Sequence, residues 1–282
     1  MSETGVDVAA YLHRIGYDGP TDPTADTLAA LVIGHTMHIP FENLDPLCGV
    51  PVIDLGPAAL TAKLVTAGRG GYCYEHNTLL RYVLAELGFG VDALGARVVW
   101  GNPEGPDGPP PAETHQALAV RLPGDDGGED PWLVDVGFGG QTLTSPIRLR
   151  PDAAQQTRHE DYRLRRRGGG YLLETRLPAG WTPLYTFSTV PRPLIDLQVG
   201  SWYVSTYPES KFVTGLSAAI TTADARWNLR GRHLTVHLRD GHTERTRLDS
   251  AEQVLDVLAD RFGLPVYGID GLAARVAEVL DS

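Results

Sequence analysis

Apolar and polar positions in the first ninety residues repeat at helical spacing. In TADTLAALVIGHTMH, Leu28, Leu31, Val32 and His35 are related by spacings of three and four, so one stripe of the segment faces a core. GPAALTAKLVTAG ends on a glycine, a common helix stop, and EHNTLLRYVLAELGFG carries a second stripe that ends at Gly88. The pattern predicts a helical region to about residue 90.

From about residue 91 the apolar period changes to two, which is typical of an antiparallel sheet or barrel. Glycine, proline or aspartate separates the short segments, which are VDALGARVVW, THQALAVRL, PWLVDVGF, DYRLRRR, GYLLETRL and TPLYTFST. Two inserts, residues 101–113 and 123–131, are rich in glycine, proline and acidic residues. We predict that both inserts are mobile loops and not strands.

After about residue 190 the pattern mixes both periods. PLIDLQVGSWYVST favours a helix, whereas LSAAITT, HLTVHLRD and TERTRL favour strands. SAEQVLDVLADRFG predicts a second helix, with Ser250 as its cap and Gln253 in the reciprocal position. The chain shows no internal repeat.

Charge and composition narrow the class of protein. The net charge of -11 over 282 residues argues against general nucleic-acid binding and against docking to an anionic membrane surface. The first residues lack the basic start and the apolar stretch of a signal peptide, and no apolar run is long enough to span a membrane. Cys48 and Cys73 cannot form a disulfide framework and fit a reducing compartment, so we predict a cytoplasmic protein.

Cys73 lies in an unusual local sequence, RGGYCYEHN. A cysteine is ordinarily a small buried hydrophobe. Here Gly70-Gly71 allows a sharp turn and a close approach, and the flanking tyrosines leave Cys73 outside any regular apolar stripe. It also stands at the first turn of the next predicted helix, where free amides and the helix dipole favour a thiolate. We predict that Cys73 is a nucleophile, and we interpret Cys48 as a structural thiol.

A nucleophilic thiol needs a base, and nine histidines are available. His76 is close in sequence, but at that spacing on one helical turn its side chain points away from Cys73. His115 is the better candidate, because it begins a predicted strand whose same face continues with Ala117 and Ala119. Two alanines beside an imidazole leave room for other groups. Alone, His115 could equally be a partly exposed strand residue.

Asp135 favours His115 as the base over a partly exposed strand residue. It interrupts the apolar strand PWLVDVGF, and a buried carboxylate without a partner is costly. An imidazole N–H is its natural partner, so Asp135 would orient the base that activates the thiol. We predict a Cys73–His115–Asp135 triad, with the thiol at a helix start and its partners on strands, as in papain-type enzymes.

RGGYCYEHN, THQALAV and LVDVGFGG resemble the three signature segments of the arylamine N-acetyltransferases. IPFENLDPL and STYPESKF resemble two further segments of that family, and the five follow the family's order between about residues 35 and 215. The resemblance implies an α+β fold with a cysteine-protease-like catalytic core. Residues 1–90 would form a helical bundle that carries the nucleophile, residues 91–190 a β-barrel that carries the histidine and aspartate, and residues 191–282 an α/β lid.

The resemblance also implies the reaction. Cys73 would take an acetyl group from acetyl-coenzyme A as a thioester, and the nitrogen of an arylamine, arylhydroxylamine or hydrazine would then attack it, in a ping-pong mechanism. Acetyl-coenzyme A is therefore expected as a co-substrate, with no permanently bound cofactor and no metal. The expected partners are these small molecules, with no nucleic acid and no membrane. The oligomeric state is left open, a homodimer included.

Further matched residues receive roles from the resemblance. Glu42 and Arg69 could form a structural ion pair beside the catalytic turn, or each could be a solvated charge. Coenzyme A contacts are expected at Thr114 and at Gly137, Phe138 and Gly139, where backbone amides can approach a diphosphate. Walls of the acceptor pocket are expected at four positions, although core packing explains three of them equally well; these are Phe41, Val98 and Phe212, with Phe138 as the fourth.

Tyr207 departs from the family pattern, which usually has histidine before this proline. The change should alter donor or acceptor preference and leave the chemistry intact. Three other functions remain open on the same residues: a cysteine hydrolase, a macrolactam-forming amide synthase of a polyketide pathway, and a non-catalytic binding module. The hydrolase differs only in that water, not an amine, meets the thioester. The complete triad argues against the binding module.

Overall fold

The computed structural model describes residues 5–123 and 129–281. Its α-helices are α1 (Val8–Arg14), α2 (Ala25–His38), α3 (Leu44–Leu47), α4 (Pro57–Leu60), α5 (Cys73–Glu86), α6 (Leu194–Thr206), α7 (Lys211–Thr214), α8 (Ala251–Asp260) and α9 (Leu272–Asp281). Its strands are β1 (Phe41–Glu42), β2 (Gly90–Val98), β3 (His115–Pro123), β4 (Glu129–Val134), β5 (Ile147–Arg148), β6 (Gln155–Gln156), β7 (Asp161–Arg167), β8 (Gly170–Leu177), β9 (Gly180–Pro191), β10 (Ser217–Thr221), β11 (Ala225–Arg230), β12 (His233–Leu238) and β13 (Thr243–Arg247).

Helices α2 and α5 form the centre of the N-terminal region, as the apolar stripes predict. The Thr24 side chain caps α2 by accepting from the Thr27 N–H. At the start of α5 the Glu75 side chain accepts from the backbone N–H of Tyr72. Two details differ from the prediction: residues 41–42 form a strand, and residues 61–66 form a π-helical turn that continues α4.

Eight strands form the central sheet in the order β5-β4-β3-β2-β9-β8-β7-β6, with every neighbouring pair antiparallel. The side chain of Gln155 bonds both the N–H and the carbonyl of Arg148, which links the two edge strands and nearly closes a barrel. The period change near residue 91 coincides with the start of β2. Small and aromatic side chains fill the barrel interior, among them Ala96, Ala117 and Tyr185.

The prediction for the two inserts was wrong in part. Residues 101–113 do form a loop, but arginines hold it: Arg167 bonds Asp107, and Arg97 donates to the carbonyl of Pro111. Pro123 and residues 129–131 belong to strands, because the antiparallel ladder of β3 and β4 continues into the insert despite its composition. Residues 124–128 of the second insert lie outside the described residues.

A second antiparallel sheet, in the order β1-β10-β11-β12-β13, forms the C-terminal region with α8 and α9 packed against it. Ser250 caps α8 by accepting from the N–H of Gln253, as predicted. The sequence patterns missed β11, which is the third strand of this sheet. Strand β1 comes from the N-terminal region, so the sheet ties the two ends of the chain together. Within residues 5–123 and 129–281, no helix is long and apolar enough to cross a membrane.

Candidate active site

Cys73 begins helix α5 directly after a tight turn, residues 69–73, which we name the cysteine turn. A side chain on Gly70 would collide with the carbonyl oxygen of Pro40, so only glycine fits there. Cys73 is 3% exposed, and its sulfur lies 3.8 Å from the carbonyl oxygen of Thr114. The thiol is therefore held at a helix N-terminus and largely shielded from solvent.

His115 and Asp135 lie beside the thiol. The Nε2 N–H of His115 donates to Oδ2 of Asp135 at 2.7 Å, and both side chains are buried. Burial of the imidazole opposes its charged form, but the Asp135 carboxylate and the Cys73 sulfur outweigh burial and raise the pKa of His115 to about 10. Because Nε2 is committed to Asp135, Nδ1 is the ring nitrogen that remains for the thiol. The structure thus brings the three predicted residues together.

Asn77 also belongs to this site, and the sequence reasoning missed it. Its Nδ2 donates to Oδ1 of Asp135 at 3.0 Å and to the carbonyl of Gln116 at 2.7 Å, and its Oδ1 accepts from the N–H of Val136. Asn77 lies four residues after Cys73 on α5. That spacing puts both side chains on one face of the helix, which is the signal that could have revealed it.

Residues 137–142 follow Asp135 and form a second turn, which we name the aspartate turn. The N–H of Gly137 donates to Oδ1 of Asp135 at 3.0 Å. A Cβ atom on Gly137 would lie 2.7 Å from the Cα atom of Cys73 and 2.9 Å from Nδ2 of Asn77, so glycine permits the two turns to touch. Phe138 packs edge-on against the His115 ring, with 5.1 Å between ring centroids.

Aromatic rings surround both turns. Phe41 lies 5.9 Å from Phe212 between centroids and stacks on the His76 ring. A Cβ on Gly139 would approach Phe41 within 3.5 Å, so Phe41 also reaches the aspartate turn. Val98 is half-buried at the end of β2, where its backbone pairs with a strand of the barrel rather than with either turn. The structure therefore places Phe41, Phe138 and Phe212 around the turns, and Val98 opposite Tyr185 in the barrel ladder.

Tyr185 is a further buried ring beside the site, and the sequence reasoning did not single it out. Its centroid lies 4.9 Å from that of His115 and 5.3 Å from that of Phe138. Burial and the nearby Asp135 carboxylate raise the pKa of Tyr185 well above its ordinary value. The phenol therefore stays neutral and packs against the imidazole.

A network of buried charges supports the cysteine turn. Arg69 lies 2.8 Å from Glu42 and 2.8 Å from Asp45, and Lys63 bridges Asp45 at 2.6 Å and Glu75 at 2.5 Å. The pair that the resemblance implied, Glu42 with Arg69, is thus part of a larger cluster. Burial opposes the charge of Lys63, yet the surrounding carboxylates raise its pKa above the ordinary value.

Two buried imidazoles form a chain of hydrogen bonds that ends at the cysteine turn. His76 points Nε2 at the carbonyls of Gly71 (3.0 Å) and Pro40 (3.2 Å), so Nε2 carries the proton and donates. His76 Nδ1 then accepts from Nε2 of His35 at 2.8 Å, and His35 Nδ1 accepts from the hydroxyl of Tyr11 at 2.9 Å. Burial is the main reason that the pKa of His76 falls to about 4 and that of His35 falls well below its ordinary value. Both rings are neutral hydrogen-bonding groups and do not serve as the base.

The remaining predicted positions lie at the edge of the site or away from it. Thr114 is half-buried immediately before His115 and contributes its carbonyl. Tyr207 is exposed just after α6, where it stacks on Tyr203 and donates to Glu209 at 3.0 Å. Cys48 is a free, half-buried thiol at the end of α3. Among the described residues, no group of three or more histidine, cysteine or acidic side chains is arranged to hold a metal ion.

The fold and this geometry define a class of protein. A thiol, an imidazole and a carboxylate that meet between a helix start and a barrel are typical of enzymes that pass an acyl group through a cysteine. Comparison with known proteins identifies the family. A profile of the family described as N-acetyltransferase matches residues 24–270. An arylamine N-acetyltransferase of Mycolicibacterium smegmatis is 59% identical over 279 residues, which are 98% of this chain and 99% of that protein.

A solved structure is also similar to this chain over nearly its whole length. The arylamine N-acetyltransferase of Mycobacterium marinum in complex with CoA has a TM-score of 0.91 and 55% identity, covering 97% of this chain and 99% of that one. The chain belongs to the arylamine N-acetyltransferase family, which confirms the resemblance seen in the motifs. A more distant relative, the proansamycin X synthase of Amycolatopsis mediterranei, is 36% identical over 194 residues, 67% of this chain and 70% of that protein.

Proposed function

We propose that this protein transfers the acetyl group of acetyl-coenzyme A to the nitrogen of arylamines, arylhydroxylamines or hydrazines, through a thioester on Cys73. The observation that carries the proposal is the position of His115, which donates to Asp135 at 2.7 Å while its pKa is raised by that carboxylate and by the Cys73 sulfur. The raised pKa of His115 favours a ring that keeps its proton beside the sulfur, and the thiolate is the form in which a cysteine is nucleophilic.

In the first half of the reaction the Cys73 thiolate attacks the carbonyl carbon of acetyl-coenzyme A. A new carbon–sulfur bond forms to Cys73, and the carbon–sulfur bond to coenzyme A breaks. The leaving sulfur takes the proton of the His115 imidazolium, so coenzyme A departs as a thiol and His115 becomes neutral. Asp135 keeps the imidazole in one orientation during this exchange.

In the second half the amine nitrogen attacks the same carbonyl carbon. Neutral His115 takes a proton from the nitrogen, Cys73 leaves as the thiolate, and the acetylated amine departs. The imidazolium and the thiolate are thereby restored, so one proton has moved from the amine to coenzyme A over the two halves. Each half uses the same three residues, as a ping-pong mechanism requires.

The surroundings of the triad support separate places for donor and acceptor. Gly137 and Gly139 allow backbone amides of the aspartate turn to approach a diphosphate, and Thr114 precedes β3 with its carbonyl 3.8 Å from the Cys73 sulfur. Acetyl-coenzyme A as the co-substrate agrees with the CoA complex of the Mycobacterium marinum relative. Phe41, Phe138 and Phe212 supply aromatic walls for a flat amine.

The amide-synthase alternative is less well supported. The arylamine N-acetyltransferase of Mycolicibacterium smegmatis matches nearly the whole chain at 59% identity, whereas the proansamycin X synthase matches two thirds of it at 36%. The hydrolase alternative shares the triad and differs in what attacks the thioester. The decisive question is therefore whether an amine or water removes the acetyl group from Cys73.

Intact-protein mass spectrometry after mixing with acetyl-coenzyme A answers that question. We expect one added acetyl group that is absent in Cys73→Ala and that disappears when an aniline or a hydrazine is added, with formation of the acetylated amine. Loss of the acetyl group at the same rate without amine would favour a hydrolase. No adduct from acetyl-coenzyme A would contradict the proposal, and longer acyl donors would then test the amide synthase.

A further inference from the structure

Three side chains connect the C-terminal sheet to the aspartate turn through the barrel. Arg226 lies on β11 and contacts both carboxylate oxygens of Glu160, with Nε 2.9 and 3.0 Å from them and Nη2 2.7 Å from one of them. The same Nη2 donates to the hydroxyl of Tyr162 at 3.2 Å. Tyr162 in turn donates to the carbonyls of Gln141 at 3.0 Å and Thr142 at 3.3 Å.

The residues of this connection are buried, so the donor and the acceptor of each hydrogen bond can be assigned. Arg226 is 1% exposed and Tyr162 is fully buried. A guanidinium in such a place must be paired, and a bidentate carboxylate is its strongest partner. The Tyr162 oxygen accepts from Arg226, so its own proton is available to donate to the two backbone carbonyls. Donation from a cation to the phenol oxygen strengthens the bond that the phenol gives.

Those carbonyls belong to the C-terminal end of the aspartate turn. Thr142 links this end to the beginning of the turn, because its hydroxyl donates to the carbonyl of Asp135 at 2.8 Å and accepts from the N–H of Phe138 at 3.4 Å. The Asp135 carboxylate has its own supports from Asn77, Gly137 and His115. The Phe138 ring likewise has its own contacts with His115 and Tyr185. A shift at Thr142 would therefore displace the backbone amides of the turn more than the triad or the Phe138 ring.

The C-terminal sheet touches the turn at a second point. The Asn228 side chain, two residues after Arg226 on β11, lies so close to Gly140 that a Cβ there would collide with it. One strand of the C-terminal sheet thus contacts the turn directly and also holds it through the barrel. No chemistry in the proposed triad requires either contact.

We infer that Glu160, Arg226 and Tyr162 are positioning residues that set the aspartate turn for the acyl donor. The inference deepens the proposed function, on which it rests, because it assigns this chain of contacts to the half of the reaction that uses acetyl-coenzyme A. The residues act through the backbone of the turn and touch no reacting atom. Their loss should impair donor use and leave both the thiol and the amine half-reaction intact.

Tyr162→Phe is the sharpest test, because it removes one oxygen and keeps the ring. We expect kcat/KM for acetyl-coenzyme A to fall about tenfold and kcat/KM for the amine to stay within about twofold of the native value. The rate at which iodoacetamide alkylates Cys73 should not change. Glu160→Gln, which keeps the shape but weakens the hold on Arg226, should give a smaller loss of the same kind.

Glu174→Gln is the matched control. Glu174 is a buried carboxylate on β8, paired at 2.6 Å with Arg163, the residue that follows Tyr162 on β7. The Glu174→Gln variant should have a lower melting temperature than the native protein and an unchanged kcat/KM for acetyl-coenzyme A. A purely structural role is the result that overturns the inference: Tyr162→Phe would then lower the melting temperature and leave kcat/KM for acetyl-coenzyme A unchanged, or would reduce both half-reactions and alkylation equally.

The test also separates this inference from the proposed function. If the native protein forms no acetyl-enzyme with acetyl-coenzyme A, the proposed function has failed, and the inference fails with it. If the native protein forms the acetyl-enzyme and Tyr162→Phe forms it at the same rate, only the positioning role is wrong. Iodoacetamide alkylation needs neither substrate, so it reports on Cys73 in both cases.

Discussion

The cysteine turn and the aspartate turn meet at the triad, but they are held in different ways. The cysteine turn rests on buried ion pairs and neutral imidazoles, of which Arg69 with Glu42 and His76 with Gly71 are the central ones. The aspartate turn rests on the hydroxyl of Tyr162, which a buried arginine supports from the C-terminal sheet. The cysteine turn is tied to the N-terminal helices and to β1, and the aspartate turn is tied through Tyr162 and Arg226 to β11.

The difference also lies in distance along the chain. The groups that hold the cysteine turn come from residues 11–76, close to Cys73 in sequence. The groups that hold the aspartate turn come from residues 160–228. We conclude that the contacts of the cysteine turn come from residues near it in sequence, whereas the aspartate turn depends on residues of β7 and β11 that lie far from it along the chain. Substitutions at each turn should therefore fail in different ways.

The largest effect is expected where both turns converge. Asp135→Asn would present an amide to Nε2 of His115, so the ring would lose its charge partner and favour the wrong tautomer. We expect the rate of acetyl-enzyme formation to fall by about 10³–10⁴-fold, as such a change does in a serine protease triad. Iodoacetamide alkylation of Cys73 near neutral pH should slow as well. Fast alkylation in this variant would show that the thiol does not depend on the Asp135–His115 pair.

Gly137→Ala tests the contact between the two turns. The new Cβ would lie 2.7 Å from the Cα atom of Cys73, so one turn must move away from the other. A displacement of this size is expected to reduce acetyl-enzyme formation about 100-fold. Gly268→Ala is the matched control, because a Cβ there meets nothing within 4 Å. Native rates in both variants would contradict the view that the turns must touch.

The contrast between contacts that are near and far in sequence also explains what the sequence could predict. Cys73, His115 and Asp135 each break a local pattern: a cysteine outside any stripe, a histidine beside two alanines, a carboxylate inside an apolar strand. Arg226 breaks no pattern that could be recognised, because β11 itself was not predicted and its partner Glu160 lies 66 positions away. The helices and the barrel strands followed from periodicity, while the strand ends in the second insert depended on cross-strand pairing, which composition does not record.

The ion pairs of the cysteine turn should contribute more to the free energy of unfolding than the Tyr162 hydroxyl that holds the aspartate turn. Glu42→Gln removes a buried charge from Arg69 and should lower the free energy of unfolding by about 3 kcal/mol. Tyr162→Phe removes a hydroxyl that accepts from the buried Arg226 and should cost about 2 kcal/mol. Urea denaturation of both variants at pH 7 measures the difference. Equal losses would mean that the ion pairs of the cysteine turn contribute no more than a single hydroxyl.

The smallest expected effect is a loss of folding stability at acidic pH. Three histidines have lowered pKa values and remain neutral in the folded protein: the buried His35 and His76 near the cysteine turn, and the half-buried His159. Burial first, and the Arg226 charge next, lower the pKa of His159 from 6.5 to about 4, and burial lowers that of His76 to about 4. Between these values the unfolded chain binds protons that the folded chain does not. Stability from these groups is therefore complete above pH 6.5 and is lost as the pH falls toward 4.

Each histidine that must take up a proton on unfolding adds at most about 1.4 kcal/mol per pH unit to this slope. His159→Gln removes one of them near the C-terminal sheet, and its amide can replace the bond that His159 makes with the carbonyl of Thr222. Urea denaturation between pH 7 and pH 4.5 should show a shallower loss of stability in this variant than in the native protein. His233→Gln is the control, since His233 is exposed and should leave the slope unchanged. Identical slopes for His159→Gln and the native protein would place the acid sensitivity entirely at the imidazoles of the cysteine turn.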